Sequence, residues 1–278
     1  MRLDQYLCAQ GLCPSRSFAQ EEIQKGLVRI NGRICCKSAT RISESDQVRY
    51  EGSGRSHVSR GAQKLQGAFA AFPFKVTGCR CFDVGASTGG FTQVLLEKGA
   101  HSVTCIDVGH DQLNPLLRED PRVEDRSGLN FRHLPQDLEA RAGQFQRFTM
   151  DVSFISVTLL LENAERLLAL GGEGIVLIKP QFEAGRGALS AKGVVVDPQK
   201  HEEVLQRMLP LAATLGLSPQ GLTFSPIKGP EGTIEYLLYV KKMRLKDPKA
   251  VLESFTVRAV VEEAFAALQP PKIEKEEA

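Results

Sequence analysis

The sequence predicts an α/β protein, a mainly parallel sheet covered by helices on both faces and preceded by a small α+β unit. Three observations carry that expectation. Apolar strand-like runs alternate with helix-like runs from about residue 79 onward, the pattern of a sheet whose connections cross its faces. One of those runs ends in Asp83-Val84-Gly85-Ala86-Ser87-Thr88-Gly89-Gly90 before a helix, a turn shaped for a ligand. The first 50 residues instead hold two short helical patterns and an Asn-Gly hairpin.

The small unit comes first. Residues 3–12 read as a helix with Leu3, Tyr6 and Leu7 on one side and Gly11 as its stop. Pro14-Ser15-Arg16-Ser17 opens a second helix, with Phe18, Ala19, Ile23 and Leu27 as its stripe. Residues 28–34 are a strand, the Asn31-Gly32 turn and the start of another strand; residues 46–50 alternate as a last one. Residues 51–57 are a linker by composition.

In the larger part, residues 79–84 are the first strand, 91–98 a helix closed by Gly99, and 102–108 the second strand. Residues 131–134, 148–154 and 174–178 are further strands, with a long apolar helix over 157–170. A helix over 205–215 and a closing strand over 233–240 follow. Residues 248–268 form a terminal helix with Val251, Phe255, Val260, Val261 and Phe265 on its apolar side, and 269–278 a frayed tail.

Composition excludes several classes. With 24% charged and 42% hydrophobic residues in 278, the chain is neither disordered nor fibrous. The seven Cys stand at positions 8, 13, 35, 36, 79, 81 and 105, an odd count behind a polar, charged start. Reduced thiols in the cytoplasm are expected rather than a disulfide framework. Cys79 and Cys81 have no further ligand at metal spacing, so no metal site is expected. The most apolar stretch, residues 152–161, is bounded by Asp151 and Glu162 and is too short to span a bilayer. Residues 1–59 carry nine Lys+Arg against six Asp+Glu, the remainder 26 against 27. A basic head on a near-neutral body suits a polyanionic partner.

The ligand turn is not a dinucleotide fingerprint, because Asp83 stands where that motif has glycine. An acid there suits the ammonium of a methionine-like moiety, so S-adenosylmethionine fits better than a pyrophosphate. Gly85, Ser87, Gly89 and Gly90 would let backbone approach it. Asp107, at the end of the second strand, is placed to accept from ribose hydroxyls, and Asp137 to meet an adenine amino group or cap a helix.

Four charged residues interrupt apolar surroundings: Lys64 in "SRGAQKL", Asp151 in "DVSFIS", Lys179 in "GIVLIKP" and Glu235 in "TIEYLLYV". Charges at strand ends beside a ligand turn are candidates for chemistry.

Residues 2–43, with RLDxxL, SR and an "INGR" hairpin, resemble the S4-type RNA-binding domain. That resemblance implies RNA contacts at Arg2, Arg16, Lys25, Arg29, Asn31, Arg33 and Lys37. Residues 60–242 resemble the FtsJ/RrmJ-like RNA 2′-O-ribose methyltransferases, which have a Rossmann-like fold and a Lys-Asp-Lys-Glu tetrad that falls on Lys64, Asp151, Lys179 and Glu235. The runs "VSRGAQKL", "DVGASTGGFT", "DVSFIS", "KPQFEAGR", "KGVVVDPQKH" and "SPIKGPEGTIEYLLY" extend the resemblance to the TlyA family, bacterial rRNA cytidine 2′-O-methyltransferases often labelled hemolysins. It implies three parts: an RNA-binding head and linker over 1–59, a methyltransferase domain over 60–242 and a helical extension over 243–278. It further implies S-adenosylmethionine as cofactor, ribosomal subunits as partners and no membrane. In such a site an amine at Lys179 takes the hydroxyl proton in its neutral form, which burial and the Lys64 ammonium both favour. Asp151 and Glu235 orient the two lysines.

Overall fold

The computed structural model describes residues 1–13, 16–43, 45–52, 57–243 and 256–268. Its contacts divide the chain into two units, Met1–Arg60 and Gly61–Ala278.

In the first unit, helices α1 (Leu3–Ala9) and α2 (Arg16–Gln24) pack beside a three-stranded sheet. Its strands are β1 (Val28–Ile30), β2 (Arg33–Ile34) and β3 (Val48–Tyr50), in the order β2-β1-β3 and antiparallel throughout. Asn31 and Gly32 both have positive φ, 51° and 82°, as the two-residue hairpin turn expected from Asn-Gly requires. Leu3, Leu7, Ala19, Ile23 and Val28 are fully buried and form the core with Cys13 and Ile42. Pro14 and Ser15, expected to open α2, lie outside the described residues, as do 53–56 of the linker.

The second unit is a seven-stranded sheet in the order β6-β5-β4-β7-β8-β10-β9. In chain order the elements are α3 (Gly61–Ala71), β4 (Arg80–Val84), α4 (Gly90–Glu97), β5 (Ser102–Asp107), α5 (Pro115–Arg118), β6 (Val123–Ser127), α6 (Gln136–Glu139), β7 (Phe145–Met150), α7 (Leu161–Leu167), β8 (Leu168–Ile178), α8 (Pro180–Glu183), α9 (Pro198–Thr214), β9 (Leu217–Phe224), β10 (Tyr236–Lys242) and α10 (Val257–Leu268). The pairings β6-β5-β4-β7-β8 are parallel; β10 runs antiparallel to both its neighbours. Strand order reverses between β4 and β7, and such a reversal opens a crevice at the carboxyl ends of the strands.

Four expectations need correction. The third strand is Val123–Ser127, not 131–134. Its sequence, VEDRS, half-covered at the sheet edge, has no apolar run to betray it, while 131–134 is a turn that buries Phe131. The helix foreseen over 157–170 breaks into a 3-10 turn, Val157–Leu159, and α7; from Leu168 the chain is already strand. Strand β9 was not foreseen because Pro219 interrupts its pattern; it is an edge strand paired across a bulge, where proline is tolerated. Helix α9 begins at Pro198, earlier than 205, with Asp197 accepting the Gln199 N–H as its cap. Of the terminal helix, Val251 and Phe255 lie outside the described residues; Val257, Val261 and Ala264 bury α10 in the main core, against α9 and β9.

Candidate active site

The turn after β4 is forced by its backbone. Gly85, Ser87 and Gly89 have φ of 80°, 48° and 95°, which favours glycine at the first and last. A Cβ on Gly85 would stand 2.3 Å from the carbonyl oxygen of Asp151, so only glycine lets β4 and β7 finish side by side. A Cβ on Gly89 would meet the side chains of Leu117 and Leu113. Gly89 therefore serves packing against Leu113 and Leu117, and neither it nor Gly90, buried at the start of α4, lines the cavity. Ser87 keeps its left-handed backbone because its N–H donates to Asp107 Oδ2 at 2.8 Å.

In front of this turn lies a cavity of about 430 Å³. It is lined by Gly85, Ser87 and Asp107, by the apolar Val108, Leu129 and Phe131, and by Asp151, Ser153 and Phe154. Asp107 ends β5, where its Oδ1 also accepts from Gly109 N at 2.7 Å. Two expected ligands do not reach the cavity. Asp83 is fully buried behind the turn, its oxygens accepting from Thr149 Oγ1 at 2.7 Å and Thr92 Oγ1 at 2.8 Å. Burial pushes its carboxyl up to about 6, opposed by those hydroxyls. Asp137 sits in α6, is paired with Arg126 and is not among the residues that line the cavity.

The four charged residues that interrupt apolar surroundings are brought together. Lys64 comes from the buried face of α3; Asp151 follows β7, its N–H held by Val84 O at 2.9 Å. Lys179 follows β8 and Glu235 precedes β10, adjacent antiparallel strands that bring the two ends together. The Asp151 carboxylate stands between the lysines, 2.6 Å from Lys179 Nζ and 3.7 Å from Lys64 Nζ. Lys64 also reaches Glu235 at 2.6 Å. Asp151 Oδ1 and both oxygens of Glu235 are buried, and the two ammonium groups are what compensates their charge. Burial pushes the Glu235 carboxyl up, and Lys64 opposes the shift. Lys179 Nζ also donates to Ser153 Oγ at 2.9 Å.

Two residues of this site were not foreseen. Phe154 has φ of 65° and is 92% exposed at the cavity mouth, a conformation costly for a bulky side chain. Its ring lies 5.4 Å from that of Phe182. Glu183, buried at the end of α8, accepts from Ser156 Oγ at 2.6 Å and Val157 N at 2.8 Å, and so pins the segment that carries Ser153 and Phe154. The runs "DVSFIS" and "KPQFEAGR" contained both residues, but no spacing rule distinguishes them from core.

In the first unit the cations implied as RNA contacts fall into two groups. Arg2 and Arg16 both reach the buried Asp4, and the Arg2 guanidinium holds that carboxyl well below the usual range. Lys25 pairs with Glu22 at 2.8 Å and Arg29 with Glu51 at 2.9 Å; Asn31 donates to Asp46 and accepts from Gln47 N, tying the hairpin turn to the start of β3. Arg33 and Lys37 are exposed and have no ion pair among the described residues.

Residues 57–242 match the FtsJ-like methyltransferase family and residues 1–48 the S4 domain. The chain belongs to the FtsJ-like methyltransferase family. It is 42% identical over 241 residues to the 16S/23S rRNA (cytidine-2′-O)-methyltransferase TlyA of Mycobacterium tuberculosis, covering 86% of this chain and 89% of that one. It is 38% identical to Hemolysin A of Brachyspira hyodysenteriae, over 86% of this chain and 99% of that protein. A solved structure from Streptococcus thermophilus that carries a hemolysin label superposes with a TM-score of 0.72 at 37% identity, over 96% of each chain. Among the described residues no helix is long and apolar enough to cross a membrane.

FtsJ-like methyltransferases use S-adenosylmethionine, and the cavity suits it. Its volume lies in the range of small-molecule sites. A carboxylate at Asp107 can accept from a ribose diol, Leu129 and Phe131 offer apolar surface to a base, and Gly85 and Ser87 line the same space.

Proposed function

We propose that this protein transfers a methyl group from S-adenosylmethionine to the 2′-hydroxyl of a cytidine ribose in ribosomal RNA. The observation that carries this reading is the convergence of Lys64, Asp151, Lys179 and Glu235 within ion-pair distance, joined to the cavity through Asp151, which lines it. The names of the curated relatives supply the cytidine and the ribosomal RNA.

Asp107, the Gly85–Ser87 backbone and the apolar wall hold the cofactor, which when bound supplies an electrophilic methyl group. A ribose hydroxyl is a weak nucleophile and must shed its proton as it attacks. Lys179 Nζ, in its neutral form, accepts that proton. Asp151 and Ser153 fix the position of this nitrogen, and fixed position is worth much of the barrier. Lys64, anchored by Glu235, sets a second positive charge against Asp151, so one carboxylate serves both lysines. Phe154, exposed at the mouth, offers a face for an unstacked base, which an enzyme acting on ribose within folded RNA needs.

Residues 1–59 form the RNA-docking part, 60–242 the methyltransferase domain and 243–278 an extension whose described part is α10. The reaction takes place on ribosomal subunits in the cytoplasm. Mapping ribose methylation of ribosomal RNA from cells with and without this gene tests the reading. A lost 2′-O-methylcytidine is expected; identical maps overturn it.

A further inference from the structure

We propose that Arg2, Arg16 and Arg41 form one phosphate-binding cluster for RNA, with Asp4 as the positioning residue that presets two of its three guanidinium groups. This rests on the RNA-docking reading of the first unit and adds two residues, Asp4 and Arg41, that the S4 resemblance does not mark.

Asp4 stands in the first turn of α1 with no exposed surface. Its oxygens collect donors from across the unit. Oδ1 accepts from Gln5 N at 2.9 Å and Arg2 Nε at 3.0 Å; Oδ2 accepts from Arg2 Nη2 at 3.0 Å, Gln20 Nε2 at 2.9 Å and Arg16 Nη2 at 3.3 Å. Arg2 is thus held by both prongs of its fork, the geometry that fixes a guanidinium most firmly. A buried carboxylate is a poor device for stability alone, because its desolvation offsets most of what its ion pairs return. Both arginines nevertheless keep an outer face in water, with 40% of the Arg2 side chain and 54% of the Arg16 side chain exposed. The arrangement leaves two cations already ordered and still able to receive an anion. An arginine pinned before binding loses less rotamer freedom when a phosphate arrives.

Arg41 joins them through the backbone. Arg2 and Arg41 face each other in an isolated antiparallel bridge. The flanking bonds run from Leu3 N to Thr40 O at 2.8 Å and from Ile42 N to Met1 O at 2.7 Å. That pattern makes Arg2 and Arg41 a non-hydrogen-bonded pair, the kind whose Cα atoms approach most closely and whose side chains leave the same face. Like charges directly opposite each other are unfavourable. Arg41 is exposed and has no carboxylate partner among the described residues. With Arg2 and Arg16 on Asp4 and Arg41 opposite Arg2, three guanidinium groups and one carboxylate leave two net positive charges on this part of the unit. The chemistry that fits is a run of phosphodiesters, whose binding to paired arginines releases counterions.

The full-length protein is titrated with purified, refolded ribosomal RNA across salt from about 50 to 300 mM. Arg41→Gln is expected to weaken binding roughly fivefold near 0.15 M salt and to make the log–log salt slope shallower by about one. Its melting temperature should match wild type, since the residue is exposed. Asp4→Asn should weaken binding as well, but only through the arginines. In an Arg2→Gln/Arg16→Gln background the further Asp4→Asn change should therefore cost less than twofold. A penalty that persists undiminished in that background would mark a destabilised head and overturn the positioning role. Wild-type affinity and salt slope in Arg41→Gln would remove Arg41 from the cluster. A wild-type protein with no salt-dependent affinity for the RNA would overturn the docking reading itself, and this cluster with it.

Discussion

Lys179 Nζ lies 2.6 Å from Asp151 Oδ1, where β8 and β7 end side by side. A base so placed is held in position beside a carboxylate, where it can meet the hydroxyl proton. Lys179→Ala is expected to slow single-turnover methylation about 10²- to 10⁴-fold, the usual share of a general base, with cofactor and RNA affinities within a few-fold of wild type. Lys179→Arg should be as inactive, because guanidinium does not give up its proton at workable pH. An active Lys179→Arg enzyme would show that the residue serves as a fixed charge and that the proton leaves by another route.

Glu235 is buried, its carboxyl is pushed up by that burial, and Lys64 is its partner at 2.6 Å. When the carboxyl takes a proton as pH falls, Lys64 loses its anchor. Wild-type activity should therefore decline on the acid side through the raised pKa of Glu235. Glu235→Gln keeps the shape without the titration. It should retain measurable activity, lowered about tenfold, and lose that acid limb. A pH–rate profile with the acid limb unmoved would assign that limb to another group.

Phe154 should separate stability from function. Its φ of 65° costs the fold something that glycine would not, while its exposed ring is placed to stack on a base. Phe154→Gly is expected to melt no lower than wild type. Stacking on an aromatic ring contributes about 1–3 kcal/mol per base, so KM for ribosomal RNA should rise roughly tenfold or more. Steady-state kinetics with both substrates and a thermal melt decide it. An unchanged KM would remove the ring from the RNA path.

Much of this architecture was legible because it obeys short-range rules. The Asn31-Gly32 turn, the Asp83–Gly90 ligand turn and the strands ending at Asp107 and Ile178 each carry their signal within a few residues. The tetrad was legible because each charge interrupts an apolar run, and burying a charge needs a reason. What stayed hidden was set by tertiary context. Edge strand β6 reads VEDRS because Arg141, and Asp137 through Arg126, balance its charges, and β9 hides behind Pro219. Asp83 shows the limit most plainly. Its place in the motif suggested a ligand contact, yet the side chain turns inward, which no local pattern reports.

That inward turn has a measurable consequence for stability. Asp83 titrates near 6 in the folded protein, because burial disfavours its charge more than the hydroxyls of Thr149 and Thr92 favour it. In the unfolded chain its pKa is about 3.9. Between those values the folded state holds the proton more tightly, so the folded state is favoured at low pH and loses that contribution as pH rises toward 6. Above about 6 the group costs on the order of 2–3 kcal/mol. Asp83→Asn removes the charge while its amide can still bond both threonines. At pH 7 the variant should be more stable than wild type, and the difference should shrink as pH falls from 6 toward 4. Denaturant melts at several pH values measure it. A variant less stable than wild type at pH 7 would show that the ionised carboxylate is needed to hold Thr92 and Thr149. The turn that carries Gly85 and Ser87 would then depend on a buried charge.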